Sequence, residues 1–151
     1  MSTPPVASAL GADQQRYFAL LTAYRRGEAG PIVRELAEST RIASEEALLS
    51  VRAIYGLPDE WHELLAPRAG GAVSAVLDGL LENPVFDAES TEDRIHRSTS
   101  ATYEALDRLE HAGIIHRITN RQRNRVWAVT AIIDELSGLD RRIASRSTAA
   151  A

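Results

Sequence analysis

Apolar residues recur with helical spacing through most of the chain. The first helical pattern follows Asp13, which can cap a helix, and continues to about Arg26, with one apolar face formed by Tyr17, Leu20, Leu21 and Tyr24. Gly27 suits the left-handed position just after a helix. Pro31 suits the first turn of the next helix, where its missing N–H costs nothing.

A longer helical pattern extends from about Pro31 to Tyr55. Its expected inward face is apolar or small and consists of Val33, Leu36, Ala37, Thr40, Ala43, Ala47, Val51 and Ile54. Pro58 is expected to end this helix, because proline lacks the N–H that a helix interior requires. A short separate helix is then predicted over 60–65.

Gly70-Gly71 is the strongest candidate hinge in the chain, and we place a domain boundary there. This boundary predicts a helical segment over 1–69, a second domain over 70–139 and a disordered tail over 140–151. The tail has no apolar face that could pack on the rest of the chain, as is typical of a disordered terminus.

The second domain is predicted as a series of short elements. Helices are expected over 72–82, 88–95, 99–112 and 131–139, and strands over 114–119 and 125–129. Asp87 and Ser98 can cap the second and third of these helices, and Gly113 can end the third. Three helices followed by two strands, with a tight turn between the second and third helices, are typical of a winged helix-turn-helix. The predicted fold class is therefore mainly α, with a helical N-terminal segment followed by a winged helix-turn-helix domain that has a small β-hairpin wing.

Composition restricts the chemistry that the chain can perform. The 151 residues contain no cysteine, which excludes disulfides, thiol nucleophiles and Cys-ligated zinc. All 17 basic residues are arginine, whose planar guanidinium can grip phosphate or carboxylate with two hydrogen bonds. The longest weakly polar run, 69–81, is too short to span a membrane, and the first residues lack the pattern of a secretory signal. We therefore expect a cytoplasmic protein.

Positive charge is concentrated around the third predicted helix and the hairpin. The formal net charge is −4, but residues 94–125 hold seven arginines and three acidic residues, which gives +4 locally. The hairpin turn places Arg121, Arg123 and Arg125 at alternate positions, where they could contact successive phosphates of DNA. The opposing hypothesis is a solvated hairpin tip whose charges only prevent edge pairing.

The third predicted helix supplies the remaining candidate contacts. Ser98, Thr99 and Ser100 stand at its N-terminus, where hydroxyls and free backbone N–H groups can bind a phosphate. Tyr103 could reach a groove, and Arg97 adds a cation beside the same face. Three acidic residues of this helix would repel phosphate, and no Asn or Gln is placed to pair with adenine, so little direct reading of bases is expected.

Other residues that could carry chemistry favour structural roles. His62 lies among carboxylates, but a lone histidine on a short helix is more typical of a solvated face than of a metal site. Gly70-Gly71 lacks the Lys-Ser/Thr that completes a phosphate-binding loop. Trp61 and Trp127 are expected to be packing residues. We therefore predict no catalytic residue, no cofactor and no metal ion.

Three stretches of the second half resemble the C-terminal winged helix of Fic-family proteins. They are Leu81-Glu-Asn-Pro-Val-Phe86, Ala105-Leu-Asp-Arg-Leu-Glu-His-Ala-Gly-Ile-Ile115 and Thr119-Asn-Arg-Gln-Arg-Asn-Arg-Val-Trp127. In the first half, Pro5-Val-Ala-Ser-Ala-Leu10 and Gln15-Arg-Tyr-Phe-Ala-Leu-Leu-Thr-Ala-Tyr-Arg25 resemble the region just after the catalytic loop of that family. The resemblance covers about Pro5 to Leu139, and its most specific piece is the Arg-Asn-Arg-Val-Trp of the hairpin.

The resemblance implies a reaction for which this chain lacks the residues. Fic enzymes transfer AMP from ATP to a protein hydroxyl with a His-Pro-Phe-x-x-Gly-Asn-Gly-Arg loop, and none of the four histidines here begins such a loop. We therefore predict that the chain is not an enzyme. It is expected to be the downstream portion of a Fic protein, as an engineered fragment, a split gene or a remnant, with any catalytic core upstream or on another chain.

The chain departs from the family pattern at the turn and at the wing. In the family, the turn between the two helices commonly carries Gly and then an apolar residue, but this chain has His96 and Arg97 there. In the wing, Asn120 occupies a position that is often Gly. His and Asn both tolerate left-handed backbone geometry, so both turns can form.

The leading prediction is a non-catalytic, DNA-binding regulatory module of a Fic-family protein that contacts the DNA backbone. The alternative is a protein–protein interaction or dimerisation module of a Fic-type AMP-transferring toxin. In that case the hairpin arginines would meet an acidic surface on a Fic catalytic partner or on a second copy in a homodimer. Neither hypothesis involves a membrane.

Overall fold

Helices dominate the computed structural model, which describes residues 5–119 and 125–149. A small antiparallel sheet of three strands lies in the C-terminal half, and the prediction of a mainly helical fold is confirmed at this level. The chain divides into two compact units, one within residues 1–52 and 136–151 and the other within 53–135. The predicted boundary at Gly70-Gly71 lies inside the second unit. None of the helices in the described ranges combines the length and the hydropathy of a bilayer-spanning segment.

The first unit is built from helices alone. It contains α1 (Val6–Leu10), a short 3-10 turn (Gly11–Asp13), α2 (Gln14–Arg25), and parts of two longer helices, α3 (Ala29–Leu65) and α7 (Thr130–Ala149). Asp13 caps α2 as predicted, because its side-chain Oδ1 accepts a hydrogen bond from the backbone N–H of Arg16 at 2.9 Å.

Helix α3 is continuous, and the predicted break at Pro58 is wrong. A proline inside a helix removes one backbone hydrogen bond and costs about 3 kcal/mol. Apolar residues on both sides of Pro58 offset this cost by packing in the core of the second unit; they are Ile54, Leu57, Trp61 and Leu65.

The buried face of α3 differs in part from the prediction. Ala43 is buried as expected, but Ser39, Ile42, Glu46 and Ser50, which were not assigned to the inward face, are also buried in the first unit. Val33, Leu36 and Val51, which were expected to face inward, remain 59%, 41% and 47% exposed.

Residues 140–149 were expected to form a disordered tail, whereas α7 continues to Ala149. Ile143 is fully buried in a cluster with Ala9, Ala43 and Leu139. The single isoleucine and two arginines that bind the buried Glu46 hold this part of the helix in place, although the segment alone shows no apolar face. Residues 150–151 lie outside the described residues.

The second unit contains short helices around the sheet. Its elements after α3 are α4 (Ala72–Leu77), β1 (Val85–Asp87), α5 (Ala88–Ile95), α6 (Thr99–His111), β2 (Ile115–Arg117) and β3 (Val126–Val129). The strand order is β1-β3-β2, and Trp127 lies opposite both Phe86 and Arg117. Strand β1 was not predicted, and α4 is shorter than predicted because the chain turns at Gly79, against which the guanidinium of Arg94 packs.

The core of the second unit joins the sheet to α3, α4 and α6. Trp127 is 1% exposed, and its ring stacks on Phe86 with centroids 6.3 Å apart. Trp61 is buried in the same cluster, so both tryptophans are packing residues as predicted. Val76, Leu77, Leu106 and Leu109 fill the space between α4 and α6.

Candidate nucleic-acid interface

A three-residue turn joins α5 to α6. His96 has φ 50° and ψ 50°, in the left-handed region, and its N–H donates to the carbonyl of Glu92 at 3.0 Å. Asp87 begins α5 by accepting the backbone N–H of Ser90 at 2.8 Å, and this hydrogen bond is the main reason that the pKa of Asp87 is lowered. Both helices therefore have defined ends, and the turn fixes the direction in which α6 leaves α5.

The N-terminus of α6 is partly occupied by internal hydrogen bonds. Ser98 Oγ accepts the backbone N–H of Ala101 at 3.4 Å, which confirms the predicted cap. Thr99 Oγ1 donates to Glu92 Oε1 at 2.7 Å, so a carboxylate stands beside the predicted phosphate position. Ser100 is exposed.

Arg97 does not extend along α6. Its Nη2 donates to the carbonyl oxygen of Gly70 at 2.8 Å, in the loop before α4. Arg108 makes a similar bond from its Nη2 to the carbonyl oxygen of Leu65 at 2.8 Å. The two arginines thus hold the loop between α3 and α4, a role that the sequence did not indicate.

A cleft of about 410 Å³ lies beside this loop and was also not predicted. Its floor is made of small apolar side chains of α4 and α6, including Val73 and Ala101. Arg68, Glu104 and Arg108 provide its charged lining.

Tyr103 is a packing residue as well as a surface residue. Its ring and that of Trp127 form a T-shaped contact, with centroids 6.4 Å apart and planes at 67°. Tyr103 is still 38% exposed, so the exposed face of α6 adjoins β3 at this contact.

Acidic side chains interrupt the positive charge around α6. Glu104 and Asp107 are exposed. Glu110 is bound by the hairpin, because its Oε2 accepts hydrogen bonds from Arg117 Nε at 2.9 Å and Trp127 Nε1 at 3.4 Å. One carboxylate of α6 is therefore neutralised, and one hairpin arginine is used to neutralise it.

The base of the hairpin is well defined. The N–H of Ile118 donates to the carbonyl of Val126 at 2.9 Å, and the N–H of Val126 donates to Thr119 Oγ1 at 3.0 Å. Arg125 precedes β3 and is partly exposed, and it forms no ion pair with any described residue. The predicted contacts Arg121 and Arg123, together with Asn120, lie outside the described residues.

Three of the four histidines have side-chain contacts within the second unit. His62 Nε2 lies 3.0 Å from Asp78 Oδ1, His111 Nδ1 lies 2.7 Å from the carbonyl of Asp107, and His116 Nδ1 lies 3.1 Å from Thr130 Oγ1. Within residues 5–119 and 125–149, no group of three or more His, Asp and Glu side chains is arranged to hold a metal ion.

Comparison with known proteins does not assign the chain to a family. No family model matches the sequence, and no curated protein matches it. The resemblance to Fic proteins stays a prediction.

Proposed function

We propose that the second unit is a winged helix-turn-helix that binds DNA, mainly through the phosphate backbone. The observation that carries this proposal is the contact between Tyr103 of α6 and Trp127 of β3. Because Trp127 follows Arg125 by two residues, the exposed face of α6 and the arginine-bearing hairpin adjoin at this contact. The order of the elements and the three-residue turn at His96 give further support.

The proposed contacts come chiefly from the hairpin. Arg121, Arg123 and Arg125 would each bind a phosphate, and the N-terminus of α6 with Ser98 and Ser100 would bind a fourth. Thr99 and Arg97 contribute less than their sequence positions suggest, since their side chains bond Glu92 and the carbonyl of Gly70. Affinity would depend little on base sequence, because the exposed residues of α6 offer few groups that read base edges.

The test is a salt-dependent DNA titration. Four phosphate contacts give a slope of about −4 in log affinity against log salt, so the affinity should fall on the order of 100-fold for a fourfold rise in salt. Fluorescence anisotropy with a labelled duplex of arbitrary sequence, at about 50 and 200 mM salt, measures this slope. An affinity that does not change with salt contradicts the proposal.

A charge-reversal pair of variants locates the contact. Changing Arg121, Arg123 and Arg125 together to Glu should abolish DNA retention. Changing Arg25, Arg26 and Arg52, which are exposed in the first unit, together to Glu makes the same change in net charge away from the hairpin. An equal loss of binding in both variants would mean that the contact is not at the hairpin.

We also propose that the chain is a non-catalytic part of a Fic-like protein. The proposal is supported by the stretches that resemble the family and by the absence of the catalytic loop from the sequence. Incubation of the purified chain with ATP labelled in its α-phosphate, together with candidate acceptor proteins, should leave those proteins unlabelled. Label on an acceptor protein would overturn this proposal.

Exposed carboxylates on α6 favour a second candidate function, which is docking to a protein. Glu104 and Asp107 face solvent on the helix that would approach DNA, where they would repel phosphate. Under this alternative the hairpin arginines would bind an acidic protein surface. In that case neither the unmodified chain nor the hairpin variant should retain DNA above background. The hairpin variant should instead lose binding to the partner protein.

A further inference from the structure

The first unit contains a cavity of about 310 Å³, which we call the α2–α3–α7 cavity after the helices that line it. This volume is at the small end of the range in which proteins bind small molecules. Leu20 of α2 and Pro31 and Ile42 of α3 form its apolar wall. All of its lining residues belong to the first unit, so the cavity is complete without the second unit.

Two serine hydroxyls at this cavity have no hydrogen-bond partner in the described part of the chain. Ser39 is 2% exposed and forms no side-chain hydrogen bond, and the Oγ of Ser147 is buried without a partner. The next residue along each helix behaves differently, since Thr40 and Thr148 donate to the carbonyl four residues earlier, at 2.7 Å and 3.0 Å. A buried hydroxyl without a partner is unfavourable, so the two serines indicate that a polar group of a ligand belongs in the cavity.

One arginine at the cavity has a charge that no described residue neutralises. Arg34 lines the cavity and forms no ion pair within residues 5–119 and 125–149. Its Nη1 lies beside Gly30, in the first turn of α3. The backbone N–H groups of a first helical turn also favour an anion, so both features attract negative charge to the same end of the cavity.

The two carboxylates of the lining already have cationic partners. Glu35 Oε2 accepts hydrogen bonds from Arg16 Nη2 at 2.7 Å and from Arg16 Nε at 3.0 Å. Glu38 is bound by Arg41, and the hydrogen bond between them lowers the pKa of Glu38. The charge left over at the cavity is therefore the positive charge of Arg34.

We propose that the α2–α3–α7 cavity binds a small organic anion through Arg34, Ser39 and Ser147. A carboxylate or phosphate group of the ligand would lie against the guanidinium of Arg34, which can donate two hydrogen bonds to either group. The body of the ligand would pack on Leu20 and Ile42, and its polar atoms would bond the two serine hydroxyls.

A ligand titration followed by NMR tests the proposal. The amide signals of the isotope-labelled chain are recorded with para-hydroxybenzoate, with phenyl phosphate and with the uncharged para-hydroxybenzamide. At least one anion should bind with a dissociation constant of about 1 mM, which is ordinary for ligands of this size, and should shift the amide signals of Ser39 and Ser147. The amide should bind about tenfold more weakly than the benzoate. A stronger response to one of the two anions identifies the head group, whereas saturable binding of neither anion, or equal binding of the amide, overturns the proposal.

Arg34→Ala tests the residue that would hold the anion. It should weaken the binding of both anions about tenfold and leave the binding of the uncharged amide unchanged. Arg52→Ala provides the matched control, because Arg52 is exposed on the same helix outside the cavity and its removal changes the net charge equally. Equal losses of affinity in the two variants would mean that the net charge of the chain attracts the anions, and would contradict a site at Arg34.

Ser39→Ala separates ligand binding from folding. It removes a buried hydroxyl without a partner, so the ligand-free variant should melt at the same temperature as the wild type or higher, while the anions bind more weakly. Ser44→Ala, at an exposed position of α3, measures the effect of helix propensity alone. A Ser39→Ala variant that melts below Ser44→Ala and keeps the wild-type affinity would assign Ser39 a structural role and exclude it from the site.

The triple hairpin variant keeps this proposal separate from DNA binding. The cavity contains no residue of the hairpin, so the variant should bind the two anions with wild-type affinity whether or not it retains DNA. Loss of anion binding in this variant would mean that the anions bind at the hairpin arginines, and would overturn the cavity as their site.

Discussion

Glu46 joins α3 to α7 through a carboxylate that is almost fully buried. The residue is 4% exposed, and its two oxygens accept hydrogen bonds from Arg146 Nη1 at 2.6 Å and Arg142 Nε at 2.9 Å. These guanidinium groups, Arg146 foremost, lower the pKa of Glu46. Glu46→Gln keeps the size of the side chain and removes the charge, so it isolates this interaction.

We expect Glu46→Gln to reduce the free energy of unfolding by about 1–3 kcal/mol at pH 7. A hydrogen bond to a charged group contributes roughly 1.5–3 kcal/mol. Two such bonds are affected, but both arginine side chains are 40% exposed, so water screens them and compensates part of the loss. The glutamine oxygen also retains one acceptor. These effects keep the expected change near the value for a single bond.

The difference between wild type and Glu46→Gln should depend on pH. Because folding lowers the pKa of Glu46, its contribution is fully present above the ordinary value of 4.5 and is lost as the pH falls through the lower folded value. Urea denaturation followed by circular dichroism, at pH 7 and at about pH 3.5, measures both free energies. The two proteins should approach each other in stability at the lower pH.

The exposed Glu63, also on α3, provides the control. Glu63→Gln should change the free energy of unfolding by less than about 0.5 kcal/mol. The reasoning is refuted if Glu46→Gln costs no more than Glu63→Gln, or if its cost is the same at both pH values.

Three further substitutions test the second unit. Trp127→Ala should cost about 3–5 kcal/mol in urea denaturation, because it empties a fully buried site against Phe86; a cost below 1 kcal/mol would contradict this packing. Asp87→Ala should cost about 1 kcal/mol through the lost cap of α5, and an unchanged melting temperature would contradict the cap. His96→Gly should stabilise the chain by up to about 1 kcal/mol, because glycine adopts the left-handed backbone at this position without strain. His96→Val should destabilise the chain, and the reverse order of melting temperatures would exclude a left-handed turn.

Local features were predicted well because a few neighbouring residues determine them. Asp13, Asp87 and Ser98 were each expected to cap a helix, and each accepts a backbone N–H three residues ahead. Gly27 and Gly113 have positive φ after α2 and α6, as expected at helix ends. Each of these features depends on fewer than five consecutive residues.

Features that depend on distant partners were missed. Strand β1 has three residues and exists because Phe86 pairs with Trp127, far along the chain. Helix α7 was expected to end near Leu139, but Arg142 finds its acidic partner 96 residues away in Glu46. Neither partner can be identified from the local pattern.

The sequence indicated the helix ends that frame the candidate site but not the side-chain partners found there. The turn at His96 and the exposed position of Ser100 follow from the capping signals. The hydrogen bonds of Arg97 to Gly70 and of Thr99 to Glu92, and the ring contact of Tyr103 with Trp127, do not follow from them. Each of these contacts joins groups seven to 27 residues apart. A residue predicted to be a free cation or a free hydroxyl can therefore already be engaged within the unit.

Helix α3 shows why hydrophobicity alone selected the wrong face. The face expected to be inward carries valines and leucine, whereas the buried face includes Ser39, Glu46 and Ser50. Burying Glu46 would be unfavourable in isolation, and the two arginines of α7 reverse that balance. The more apolar face is consequently left in contact with water, at a cost of roughly 25 cal/mol for each Å² of apolar surface. The distribution of charge, and not of apolar surface alone, therefore decides which face of α3 is buried.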